Sequence, residues 1–143
     1  MGKKIFYYHA GSGNHECEAL VKTLHFLLKA DHLYSFNAHE DIKWEIDIPV
    51  IRQSHWNQTL DLDPKYNDGD LAISIGGDNY CDFGAQLVLY NNVFNATGCK
   101  TALIGCSINE HLFDKPELID DLRKFSLITA RESITHKEVQ KKG

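Results

Sequence analysis

The feature that most constrains this chain is the run Asp70-Leu71-Ala72-Ile73-Ser74-Ile75, nearly all apolar and closed by Gly76-Gly77. A strand with one wet face alternates apolar and polar residues. An unbroken apolar run instead belongs to a strand covered on both faces, which is the situation of a parallel sheet flanked by helices. Parallel neighbours cannot be joined by a tight hairpin, so the surrounding sequence has to alternate strands with crossover helices.

It does so over most of its length. Lys4 to His9 is rich in β-formers and meets a glycine turn, after which Ala19, Leu20, Leu24, Leu27 and Leu28 recur at helical spacing. Gln86 to Phe94 reads as helix, Thr101 to Cys106 as strand, Pro116 to Phe125 as helix and Leu127 to Ala130 as strand. Ser133 to Lys142 reads as a terminal amphipathic helix stopped by Gly143. Between Tyr34 and Tyr66 the pattern thins. Ile46, Ile48, Val50 and Ile51 suggest a second strand interrupted by Pro49, and the polar stretch through Trp56 reads as an excursion. The expected architecture is an α/β domain, a Rossmann-like doubly wound parallel sheet over residues 1–143, receiving ligands at the carboxyl ends of its strands.

Composition narrows the partners. With 143 residues, 43% hydrophobic and a net charge of −5, the chain is long enough for one core. It has no basic run with interleaved aromatics to meet phosphate backbones, so nucleic acid is not an expected partner. The apolar stretch after Lys3-Lys4 is too short for a signal peptide or a membrane span, and Phe6 stands where a myristoylation signal wants serine or threonine. Cys17, Cys81, Cys99 and Cys106 form no CxxC pair and suit reduced thiols in a cytoplasmic protein. Eight histidines without HxxxH or HExxH spacing argue against a metal site.

The strand ends carry the chemistry. Gly11-Ser12-Gly13-Asn14 opens a helix whose free amides and dipole favour phosphate or carboxylate, with Ser12 or Asn14 able to cap it. In the plainer reading Glu16 and Glu18 satisfy that dipole themselves. The turn lacks the third glycine of the dinucleotide fingerprint, so no nicotinamide cofactor is expected. Gly76-Gly77-Asp78-Asn79 places an acid beyond two glycines, where Asp78 either orients a hydroxyl and moves a proton or caps the next helix. Arg131 follows the last strand directly and suits an anion, or else a structural ion pair with Glu132 or another surface acid. The loop Gly105-Cys106-Ser107-Ile108-Asn109 completes the same edge.

Taken in order, Gly11 through Leu20, Asp70 through Asp78, Gly105 through Asn109 and Ile128 through Ser133 resemble the polysaccharide pyruvyl transferase family. The likeness covers nearly the whole chain. It implies the amino-terminal Rossmann-like domain of a two-domain, GT-B-like enzyme that moves a pyruvyl group from phosphoenolpyruvate to a sugar of a cell-surface polysaccharide, forming a ketal. On that resemblance Asp78 and Glu18 are candidate catalytic groups. Gly11, Ser12, Gly13, Asn14, Gly76, Gly77, Asn79, Arg131 and Ser133 are candidate substrate-binding positions. No cofactor or metal is implied. The partners implied are phosphoenolpyruvate, a sugar acceptor and a carboxyl-terminal domain beyond this sequence, whose apolar face, if uncovered, invites a homo-oligomer. The chain by itself is expected to be inactive. Glu16 stands where the family pattern has glycine, which restricts the turn and sets a negative charge before an anionic donor. The alternative is a non-catalytic carbohydrate-binding or scaffold module of the same fold, and a third reading is a nucleotide-binding Rossmann module.

Overall fold

The computed structural model describes residues 2–8, 15–35, 44–52, 66–80 and 84–142. Six strands, β1 (Lys4–Tyr8), β2 (His32–Ser35), β3 (Val50–Arg52), β4 (Leu71–Tyr80), β5 (Lys100–Ile108) and β6 (Leu127–Ala130), form one parallel sheet in the order β3-β2-β1-β4-β5-β6. Four helices accompany it: α1 (His15–Leu28), α2 (Gly84–Ala96), α3 (Pro116–Leu122) and α4 (Ser133–Lys142), with a short 3-10 helix at Glu110–Asp114. This is a Rossmann-like α/β fold, as the alternation of strands and helices requires.

Strand periodicity divides the core in two. Phe6, Leu33, Ile73, Ile75 and Ala102 face Val21 of α1, with Cys17, Leu20 and Leu24 of the same helix packed beside them. The alternate positions Ile5, Tyr7, Tyr34, Ala72 and Leu103 face Tyr90 and Phe94 of α2 and Leu118 and Leu122 of α3. Phe94 is the hub of this second layer. It stacks on Tyr7 at 5.0 Å and meets Tyr34 edge-on at 6.0 Å.

Asp70 is a structural clip rather than a site residue. It is buried at the amino end of β4, where its carboxylate accepts the N–H of Lys3 at 2.6 Å and of Asn67 at 3.0 Å. The amino ends of β1 and β4 are thereby locked in register.

Three sequence expectations need correction. The strand after α1 is His32–Ser35, followed by a separate short strand at Val50–Arg52, so the sheet has six strands where the periodicity suggests five. Ile46 and Ile48 lie outside any strand; Ile48 is buried in the core, and Pro49 precedes β3 with its carbonyl accepting the N–H of Leu33. Gly76-Gly77 does not end its strand either. β4 continues to Tyr80 through a bulge after Gly77, a residue with φ +105°. The helix expected to reach Phe125 stops at Leu122, while α2 and β5 extend beyond their expected ends. The first glycine turn, His9, the stretch 53–65, Cys81 and Gly143 lie outside the described residues. Among the described residues, no helix is long and apolar enough to cross a membrane.

A buried polar cross-link ties the helical layer to the sheet. Asp121 of α3 is fully buried and accepts hydrogen bonds from Tyr80 Oη at 3.0 Å and Asn91 Nδ2 at 2.8 Å. Burial pushes its carboxyl above the ordinary aspartate value, and these two donors hold it partly back. The unfolded chain loses that proton near pH 3.9, before the folded chain does. Its contribution to stability is therefore full below the unfolded value and is lost as pH rises through the folded one. Urea midpoints measured across this interval should show Asp121→Asn gaining on the wild type as pH rises; a difference that stays constant with pH would contradict this assignment.

Candidate functional site

Parallel strands all end at the same edge, so the fold itself gathers the carboxyl ends of β1, β4, β5 and β6. The strand order reverses direction between β1 and β4, where folds of this kind open a crevice outside the carboxyl ends. The bulges lengthen β4 and β5 on that side: Tyr80 pairs with Ile108 well beyond the last residue of β1.

The glycines of this edge have different reasons. A Cβ on Gly76 would lie 1.9 Å from the carbonyl oxygen of Ile104 and 2.4 Å from that of Gly105, so this glycine permits the close approach of β5. Gly77 at φ +105° and Gly105 at φ +67° are required by backbone conformation instead, and a Cβ on either would meet nothing within 4 Å. They stand in adjacent strands, Gly77 paired to Cys106. Asp78 and Asn79 lie within the last residues of β4, so Asp78 is a strand residue and not the cap of α2, which begins at Gly84. Gly11, Ser12, Gly13 and Asn14 fall outside the described residues.

Arg131 is the best-positioned charged group here. Its backbone N–H donates to the Cys106 carbonyl at 2.8 Å, extending the β5–β6 ladder by one bond. Glu132 then accepts the N–H groups of Ile134 at 2.6 Å and Thr135 at 3.0 Å, capping α4 with its carboxylate. Those bonds hold its carboxyl below the usual range. Thr135 Oγ1 in turn accepts the N–H of Ile108 at 3.0 Å, which pins the first turn of α4 to β5. With its flanks secured, Arg131 directs Nε to Ser107 Oγ at 3.2 Å and Nη1 to Glu16 Oε1 at 2.9 Å. Thr129 Oγ1, two residues back, accepts the N–H of Gly105 at 2.7 Å.

The ion pair that the sequence allowed for Arg131 thus exists, with Glu16 across 115 residues of chain, while Glu132 serves the helix. Glu18 is not part of this group. Two residues on from Glu16, it points roughly 200° around the helix, bound to Lys22 at 2.7 Å and His15 at 3.2 Å. Those partners hold its carboxyl below the ordinary value, which keeps it anionic near neutrality and unsuited to donating a proton. Ser133 opens α4 and is exposed. The Cys106 thiol beneath the loop is buried, and burial pushes it up to about 12, so it is not a nucleophile.

Ser107 and Thr129 were not singled out by sequence. Each is an ordinary hydroxyl one strand away from its partner, and strict alternation from the Ile104–Thr129 pairing would put Ser107 on the opposite face, so that the bulge at Gly105 decides its side. Chemically the group Arg131, Ser107, Gly105, Thr129 and Glu16 offers a guanidinium fork with hydroxyls nearby, and the fork is the part suited to a small carboxylate or phosphate. Among the described residues no cluster of three or more His, Cys, Asp or Glu could hold a metal ion. A cavity of about 270 Å³, lined by apolar side chains such as Phe113, Leu122, Phe125 and Ile128 together with Arg123 and Lys142, lies toward the amino end of β6 and away from this chemistry.

The two glycine mechanisms make distinct expectations for stability. Gly77→Ala should cost about 1–2 kcal/mol from positive φ alone. Gly76→Ala should cost more, because the β5 backbone has to move. Denaturant unfolding of both variants checks this, and equal losses would remove the close-approach explanation.

Comparison with protein-family models, with curated proteins and with solved structures found no match to this chain.

Proposed function

We propose that this chain is a pyruvyl transferase-like domain, the amino-terminal half of a GT-B-like enzyme, whose carboxyl edge receives the anionic donor phosphoenolpyruvate at Arg131. The observation that carries the reading is the placement of Arg131: a half-exposed guanidinium, steered by the β5–β6 ladder and the capped start of α4 to the edge where such folds bind ligands. Support also comes from the hydroxyl of Ser107 beside the guanidinium, which suits the phosphate or carboxylate of the donor.

Ketal formation at the donor requires protonation of its methylene carbon, addition of a sugar hydroxyl to the neighbouring carbon, loss of phosphate and closure by a second hydroxyl. The residues at this edge bind and orient; Arg131 would hold negative charge as the phosphate departs. Asp78, on the β4 end, is the remaining candidate for orienting an acceptor hydroxyl or moving a proton. A second domain would supply the other donor-binding groups.

One observation favours the rival reading, a carbohydrate-binding or scaffold module without catalysis. The two α1 acids are both committed, Glu16 to Arg131 and Glu18 to Lys22 and His15.

Calorimetric titration of phosphoenolpyruvate into the wild type and Arg131→Ala distinguishes them. On the transferase-like reading the variant should bind roughly ten- to a hundredfold more weakly, the worth of a hydrogen bond to a charged group, with an unchanged melting temperature. No binding by the wild type, or equal binding by both proteins, would favour the module.

A further inference from the structure

We propose that Glu16 is an internal competitor for this site, its carboxylate occupying the face of Arg131 that an incoming anion needs. The inference rests on the reading of Arg131 as the anion-binding group, and it adds a rule of selection to it.

The geometry has three parts. Glu16 Oε1 sits 2.9 Å from Arg131 Nη1, the distance at which a ligand carboxylate or phosphate oxygen would sit. The contact joins the first turn of α1 to the loop after β6 and spans the carboxyl ends of the intervening strands, so it lies over the mouth of the edge. The pair is also easily parted. The Glu16 side chain is 73% exposed and that of Arg131 is 40% exposed. An ion pair in such surroundings gains little over its solvated halves. The scaffold does not depend on it, because the Arg131 backbone is held by Cys106 and the start of α4 by Glu132 and Thr135. Glu16 can therefore leave without loosening the loop that aims the guanidinium.

Binding then becomes an exchange of one anion for another. A neutral sugar gains nothing at Arg131, since it cannot displace a carboxylate from a guanidinium. A single weak carboxylate roughly breaks even. A ligand carrying phosphate, or phosphate together with carboxylate, presents more charge and more acceptor oxygens than Glu16 and replaces it. The site selects for strongly anionic small ligands, and the released Glu16 carboxylate stays at the mouth, where it repels a second anion.

The test titrates inorganic phosphate and phosphoenolpyruvate by calorimetry into the wild type, Glu16→Ala, Arg131→Ala and the double variant. Glu117→Ala, an exposed acid in the first turn of α3, controls for net charge. Glu16→Ala should bind about two- to fivefold more tightly than the wild type, the span expected from removing an exposed ion pair. Glu117→Ala should stay within about twofold of the wild type. Arg131→Ala and the double variant should both bind weakly, because the guanidinium that Glu16 competes for is gone. Binding that depends on Arg131 but is unchanged or weakened in Glu16→Ala would overturn the competitor while leaving the anion site standing. Binding indifferent to Arg131, or absent from the wild type and Glu16→Ala alike, would overturn both.

Discussion

Strand β4 is the constraint from which the rest of this structure follows. It is hydrogen-bonded on both sides, to β1 and to β5, and its side chains are buried on both faces, Ile73 and Ile75 beneath α1 and Ala72 beneath α2. From Ala72 to Gly76 the strand is buried, and there each backbone group must find a partner away from water. Asp70 sets its register against β1 and Gly76 lets β5 approach closely. Once those two contacts are made, every strand to either side inherits a direction, and the strand ends converge.

That convergence explains how weak local interactions produce a defined site. Arg131 and Glu16 are exposed, and their ion pair cannot by itself hold either residue in place. The loop is instead fixed by neutral backbone bonds and a helix cap, Arg131 to Cys106, Glu132 to Ile134 and Thr135, and Thr135 to Ile108. The backbone that carries the guanidinium is thus held by bonds in which its side chain takes no part. The bulges at Gly77 and Gly105 extend β4 and β5 past their neighbours at the same edge.

The elements legible in the sequence are those whose local pattern and tertiary surroundings agree. β6 has the expected bounds, and α4 starts where Ser133 follows an acid that caps it. β2 was missed because nothing punctuates it. α1 ends at Leu28, the next residue Lys29 has a φ of +56°, a conformation usually marked by glycine, and the ring of His25 accepts the N–H of Ala30 in place of a recognisable stop. His32-Leu33-Tyr34-Ser35 is then too short to show a period, and becomes a strand because Leu33 is buried against Phe6 and Ile73. The Gly76-Gly77 pair was misread for a related reason. A glycine pair marks a turn or a bulge equally well in one dimension, and the backbone of β5, about thirty residues on, decides between them.

The sequence by itself determined that this chain makes a parallel α/β sheet, because only a doubly covered strand accommodates Leu71 to Ile75. It also determined that glycines, an acid and an arginine lie near the carboxyl ends of strands, since those residues are simply present there. Tertiary structure alone decided which of them meet. Glu16 and Glu18 are indistinguishable by composition and differ by two places, yet one turns toward Arg131 and the other toward Lys22 and His15. The choice depends on helix phase and on a strand order that brings β6 within reach of α1. An interaction across 115 residues has no local signature for a sequence to carry.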